Sequence, residues 1–319
     1  LVIRHPPETS GDPLLPMPKL AASSAFLACW GAALATGTAQ NTAGTNSPSE
    51  SKVPDVQRNA KPSLACATTA LVAGETGTLA LTFEIRPGWH MYWKGQNVAG
   101  MPFQITWGLP AGISVGEGQW PVPERDIVDG DIINYTYHDR FTVLFPVTVS
   151  KDAAGSTLTI AANLEWLVCE SGCVLETGAD FLEIPILPAG VKPADSSAAA
   201  DIATARSKLP ASLDIGRKTF KTTVFGDNQS VTIALTDPSQ GVAKLVFLPD
   251  EGGVTMKDPI SSGESTTGGL RFQYEDPGAK PRAEGQPVPT EVRGLVGIWL
   301  SAAPESPRWY EVREPLPAK

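Results

Sequence analysis

Cys169 and Cys173, in the stretch Trp166-Leu-Val-Cys-Glu-Ser-Gly-Cys173, are the residues whose type and spacing best suit chemistry in this chain. On a straight strand they would stand about 13 Å apart, at about 3.3 Å per residue. A disulfide needs Cα atoms about 4.4–6.8 Å apart, so a bond between them requires the chain to turn. Ser171-Gly172 can supply the turn, glycine because it reaches backbone angles closed to other residues. The spacing therefore predicts a hairpin tip carrying a redox-capable dithiol. Three roles suit such a pair: thiol–disulfide exchange, a structural staple, or metal ligation. Closing a loop of about five residues removes only about 2 kcal/mol of unfolded-state entropy, so stability is a weak reason for the pair.

The local charges bear on the redox role. Glu165, Glu170 and Glu176 flank the cysteines, and no Lys, Arg or His lies within ten residues on either side. Negative charge disfavours thiolate. Strong oxidants owe their potential to a stabilised reduced form. The pair is thus expected to be a reducing or intermediate couple. Cys66 lies among Leu64, Ala65 and Ala67 and is expected to be a buried thiol.

The elements that must position the pair read as strands. The 30 Gly and 29 Pro in 319 residues favour many short strands over long helices. In Thr78–Ile85, Leu79, Leu81, Phe83 and Ile85 share one face; in Thr157–Val168, so do Leu158, Ile160, Ala162, Leu164, Trp166 and Val168. Further strands are expected at Phe103–Trp107, Ile113–Glu117, Asn134–Tyr137, Phe141–Val149 and Phe181–Ile186. Close spacing of such runs predicts an all-β fold of two antiparallel β-sandwich domains, at residues 63–188 and 209–319. Residues 189–208 form a hinge, with a short helix expected in Ser196–Lys208. The second domain has neither cysteine nor histidine.

Ahead of these domains, residues 1–39 read as a signal peptide region. Lys19 precedes the apolar stretch Leu20–Leu34, then come small residues, and translation is open to starting at Met17. A lipid anchor at Cys29 is disfavoured by the Phe26-Leu27-Ala28 lead-in. Residues 40–62 are polar and read as a disordered linker. No other apolar stretch is long enough to span a membrane, so the chain is expected to be periplasmic or otherwise exported. A net charge of −9 without a basic run excludes nucleic acid as a natural partner. No phosphate-loop or dinucleotide fingerprint occurs, and no cofactor is expected. His90, Met91 and Met101 could join the cysteines in a soft copper site, though without compact ligand spacing.

Pro87-Gly-Trp-His-Met-Tyr-Trp-Lys94, Trp107-Gly-Leu-Pro110, Gln119-Trp-Pro-Val-Pro123 and the Cys169–Cys173 stretch occur in an order that resembles one family. It is the N-terminal periplasmic domain of the disulfide reductase DsbD, particularly its branch related to suppressor-of-copper-sensitivity proteins. The likeness spans about residues 65–188, and the second domain more faintly resembles the extra β-domain of that branch. The resemblance implies an immunoglobulin-like fold whose cysteines, Cys169 and Cys173, shuttle electrons to thioredoxin-like periplasmic proteins. It also implies that Tyr92 is an aromatic beside the active site and that Trp120 belongs to a loop capping the disulfide. In the family a membrane domain and a thioredoxin-like domain supply the electrons. Neither is read here, so a separate membrane electron-transfer subunit is an expected partner. Two departures stand out: Val174-Leu175 replace the proline usual after the second cysteine, and His138 follows Tyr137 where relatives often carry a small or acidic residue.

Two functions from different classes remain open. One is a thiol–disulfide oxidoreductase-type relay through Cys169 and Cys173. The other is a non-catalytic β-sandwich binding module with a structural disulfide, a soft-metal protein being a third, lesser alternative.

Overall fold

The computed structural model describes residues 58–318 except 238, 240, 261–263, 267–268 and 279–286. The expected signal peptide region, with Met17 and Cys29, and the expected linker up to residue 57 lie outside the described residues.

Four sheets build the described chain, all antiparallel except for the short edge strand β2, which pairs with β11 in parallel. The first has the order β1-β3-β9-β6, from β1 (Ala60–Cys66), β3 (Thr76–Ile85), β9 (Arg140–Val149) and β6 (Ile113–Val115). Facing it is a sheet of order β2-β11-β10-β4-β8-β7. Its strands are β2 (Leu71–Val72), β11 (Cys173–Leu187), β10 (Thr157–Cys169), β4 (His90–Tyr92), β8 (Ile132–His138) and β7 (Glu124–Val128), with β5 (Gln104–Gly108) also pairing β10. The two faces bury the residues that alternation selects. Leu79, Leu81 and Phe83 from β3 and Ile160, Ala162 and Val168 from β10 are fully shielded. Each large aliphatic or aromatic side chain so buried contributes about 1.5–3 kcal/mol. Phe83 sits at the centre, with ring centroids 5.2 Å from Phe103, 5.4 Å from Phe141 and 5.5 Å from Trp166.

β1 begins at Ala60, inside the stretch expected to be linker, and the cause is a long-range anchor. The Glu176 carboxylate accepts hydrogen bonds from the Asn59 amide (2.8 Å), the Asn59 side chain (3.0 Å) and the Ala60 amide (3.3 Å). A polar sequence is thereby ordered by a residue more than a hundred positions away. β7, Glu-Arg-Asp-Ile-Val, was equally hidden from the pattern because charged residues interrupt its alternation.

Beyond β11, two short helices, α1 (Ala199–Ser207) and α2 (Leu213–Thr219), lead into the remaining strands. β12 (Phe220–Phe225), β13 (Ser230–Leu235), β16 (Gly269–Gln273) and β15 (Glu264–Thr266) form one sheet in that order. β14 (Val242–Pro249), β17 (Glu291–Leu300) and β18 (Ala303–Pro315) form the other. Their shared core includes Val231, Ile233, Phe247, Phe272, Val296 and Tyr310.

The two sandwiches are joined by a built interface. Val246, Leu248 and Leu295 extend the first core across it. Gln96 donates to the Asp250 and Val254 carbonyls at 3.1 and 2.8 Å and accepts from the Met256 amide at 3.0 Å. Asp250, 4% exposed, pairs with Lys94 at 3.0 Å and Arg293 at 3.2 Å. Both cations also contact the more exposed Glu117.

Candidate functional site

The β10–β11 hairpin carries the site. All 13 residues of β10 are in register with β11, ending at the pair Cys169 and Cys173. Glu170, Ser171 and Gly172 close the loop, and the Glu170 amide donates to the Gly172 carbonyl at 3.1 Å. Gly172 is not among the glycines with positive φ, and a side chain there would meet open space. The turn thus forms without the special glycine conformation expected of it. Strand pairing and the local backbone bond already bring the ends together. The Cα atoms are 4.1 Å apart and the two sulfurs are bonded.

The two cysteines differ in access. Cys169 is 2% exposed, whereas Cys173 is exposed at the start of β11. Around Cys173 the rim is apolar, with Val174 and Leu175 also open to solvent. The Tyr92 hydroxyl lies 3.9 Å from Cys173 Sγ and 3.1 Å from His90 Nε2. Burial raises the Tyr92 pKa, which keeps the phenol protonated and able to donate to sulfur. Gly100 makes room for this ring: it has φ +89°, and a Cβ there would collide with Tyr92.

The sheet also brings histidines to the pair, which the local sequence did not show. Cys173, Cys169, His90 and His138 are successive partners across β11, β10, β4 and β8. Antiparallel pairing, not chain proximity, places His90 opposite Cys169. Desolvation and the neighbouring His138 lower the His90 pKa, against an opposite pull from Asp126. It therefore brings no positive charge to the cysteines at neutral pH. Glu176, expected to bear on the thiols by its charge, is instead committed to four N–H donors. Beside the three described above, Trp166 Nε1 donates to it at 3.1 Å.

Of the residues expected at the site, Cys169, Cys173 and Tyr92 come together. Trp120 lies in an aromatic stack, with ring centroids 4.7 Å from Phe103 and 6.4 Å from both Tyr137 and Phe141. Met91 points into the core at 1% exposure, on the opposite strand face from His90, while Met101 is 40% exposed. The soft-ligand set of His90, Met91 and Met101 is therefore not assembled. Cys66 is a buried free thiol whose Sγ lies 3.7 Å from the Thr68 hydroxyl. Among the described residues no helix is long and apolar enough to cross a membrane.

Comparison with known proteins agrees with this geometry. Residues 58–185 match the sequence model of the family described as thiol:disulfide interchange protein DsbD, N-terminal. Among solved structures, the N-terminal periplasmic domain of ScsB from Proteus mirabilis is similar with a TM-score of 0.50 and 13% identity. That match covers 83% of this chain and 96% of the other. The DsbD N-terminal domain of Neisseria meningitidis in its reduced form matches at a TM-score of 0.27 and 15% identity, covering 40% of this chain and 85% of the other. The same organism's complex between the DsbD N-terminal and PilB N-terminal domains gives 0.26 and 15%, covering 46% and 94%. No curated protein sequence matches. The likeness to ScsB speaks for the fold, and the family model matches the segment that bears the cysteines. Residues 58–185 thus form a DsbD N-terminal-like domain, an immunoglobulin-like β-sandwich with its cysteine pair at the tip of the β10–β11 hairpin.

Proposed function

We propose that this chain is an exported thiol–disulfide exchange module that relays electrons between periplasmic proteins through Cys169 and Cys173. The observation that carries the proposal is the asymmetry of the pair: one bonded sulfur belongs to an exposed residue, the other to a buried one. An incoming thiolate attacks Cys173 Sγ; the Cys169–Cys173 bond breaks, a mixed disulfide forms at Cys173, and the electron pair leaves on Cys169. A second thiolate of the partner then attacks its own sulfur in the mixed disulfide and releases Cys173. The partner is oxidised by two electrons and the pair is reduced. The reverse sequence passes the electrons to the next disulfide. Tyr92, protonated and 3.9 Å from Cys173 Sγ, can donate a hydrogen bond to the Cys173 thiolate released in the second step.

A purely structural disulfide is disfavoured by its position. It closes a loop at the end of a hairpin already held along all 13 residues of β10, where about 2 kcal/mol of loop entropy is the most it can add. Thioredoxin-like proteins are the proposed partners, because a shallow apolar rim around one reachable sulfur suits docking of another exposed active-site cysteine. A separate membrane subunit is the proposed source of electrons. Trp120 remains a proposed contributor to partner binding through the loop that carries it.

The test uses Cys169→Ala and Cys173→Ala chains with a thioredoxin-like protein whose resolving cysteine is replaced. After oxidation, non-reducing electrophoresis should show a mixed disulfide with Cys169→Ala and little with Cys173→Ala. Failure of both variants to form one, with the wild-type disulfide resisting reduced thioredoxin, would leave a structural bond.

A further inference from the structure

We propose that Glu124, Asp126 and His138 form a site for a divalent transition-metal ion, with zinc the best fit. One donor atom from each lies within 4.8 Å of the others. His138 Nε2 and Asp126 Oδ2 are 3.6 Å apart. Two ligands on a tetrahedral zinc at about 2.0–2.1 Å stand about 3.4 Å from each other, so this pair needs almost no movement. Nitrogen and carboxylate donors without thiolate or thioether suit zinc better than Cu(I), and a histidine among them argues against calcium or magnesium.

The strands explain why these donors converge. Glu124 and Asp126 are two apart on β7, and Thr136 and His138 are two apart on β8, so each pair faces one side. Thr136, 1% exposed, donates its hydroxyl to Asp126 Oδ2 and lies 3.4 Å from His138 Nε2. The hydrogen bond to Asp126 is the buried supporting contact that orients a metal-binding carboxylate, whereas the approach to His138 Nε2 is one the metal would replace. Access is open, since Asp126 and His138 side chains are 39% and 37% exposed. Glu124 and His138 line a cleft of about 310 Å³. Arg140 borders the same cleft, but its guanidinium is turned to Asp201 at 3.0 Å. Three protein ligands leave a fourth position for water or an incoming group. The site does not depend on the redox role of the cysteines, although the His138 ring is 5.7 Å from that of His90, the partner of Cys169 in the sheet.

The experiment is calorimetric titration of zinc chloride into the oxidised full chain, whose bonded cysteines cannot compete as thiolates. One ion should bind per chain. His138→Ala and Asp126→Asn should each weaken binding at least about tenfold, as should Thr136→Val through loss of the supporting contact. Glu124→Gln, at an exposed position that leaves the fold intact, should weaken it several-fold and keeps the test decisive if a more buried variant misfolds. Absence of saturable binding would overturn the proposal. So would an affinity unchanged in Glu124→Gln and in whichever other variants fold.

Discussion

Glu176→Gln separates two roles for one carboxylate. Proximity along the chain assigns Glu176 to the electrostatics of the cysteines, whereas the fold ties it to Asn59, Ala60 and Trp166. Oε1 accepts both donors of Asn59, and Oε2 accepts from Ala60 and Trp166. A glutamine has one acceptor oxygen, so two of the four donors must face an amide NH2. The less costly orientation keeps oxygen toward Trp166, which is 1% exposed, and leaves the half-buried Asn59 to water. The two bonds retained lose their charge assistance, about 1 kcal/mol each, and with the loss at Asn59 the total is about 2–3 kcal/mol. Glu176→Ala also strands the Trp166 N–H and should cost about 4 kcal/mol. Urea unfolding of the oxidised chain, followed by tryptophan fluorescence, should show lower midpoints in that order. The reduction potential of the pair should stay at its wild-type value. A Glu176→Gln chain within about 0.5 kcal/mol of wild type, the range of an ordinary surface change, with a shifted potential would refute the anchoring role.

Tyr92→Phe removes the hydroxyl near Cys173. In the Cys169→Ala background it should slow alkylation of Cys173 at neutral pH about three- to fourfold, because losing about 1.4 kcal/mol from one hydrogen bond cuts the thiolate about tenfold while the more basic thiolate reacts about threefold faster; an unchanged rate would exclude that bond. Trp120→Ala should cost about 3 kcal/mol of stability through its stack with Phe103, Tyr137 and Phe141. If the ring also caps the disulfide, as its proposed part in partner binding requires, reduced Cys173 will be alkylated faster in the variant; an unchanged rate would leave Trp120 as packing. Asp250→Asn leaves Lys94 and Arg293 without their buried counter-ion and should destabilise the joint between sandwiches by about 2–3 kcal/mol, read as faster hydrogen exchange at Gln96 and Glu251. Gly172→Ala should be nearly neutral in thermal unfolding, because that glycine adopts no left-handed conformation.

The sequence by itself determined the β character of the chain, the inward faces of β3 and β10, and the hairpin at Cys169–Cys173. Period-two alternation is a local signal, and two cysteines four apart can bond only if the chain reverses between them. A helix in the Ala-rich stretch was likewise readable from composition and appears as α1. What lay beyond local pattern was decided by tertiary structure. β1 and β7 are polar enough to pass for loop, and they become strands only when β3 and β8 supply partners, with Glu176 anchoring the start of β1. Neighbours in sequence named only part of the surroundings of the cysteines. A sheet sets residues beside one another across strands, so His90 and His138 join the pair in one row while Glu176, three residues from Cys173 on β11, is spent on N–H donors of Asn59, Ala60 and Trp166. Which sulfur an attacking group can reach, and that Glu124 and Asp126 meet His138, follow from the same cause: strand pairing converts separations of tens of residues into a few ångströms.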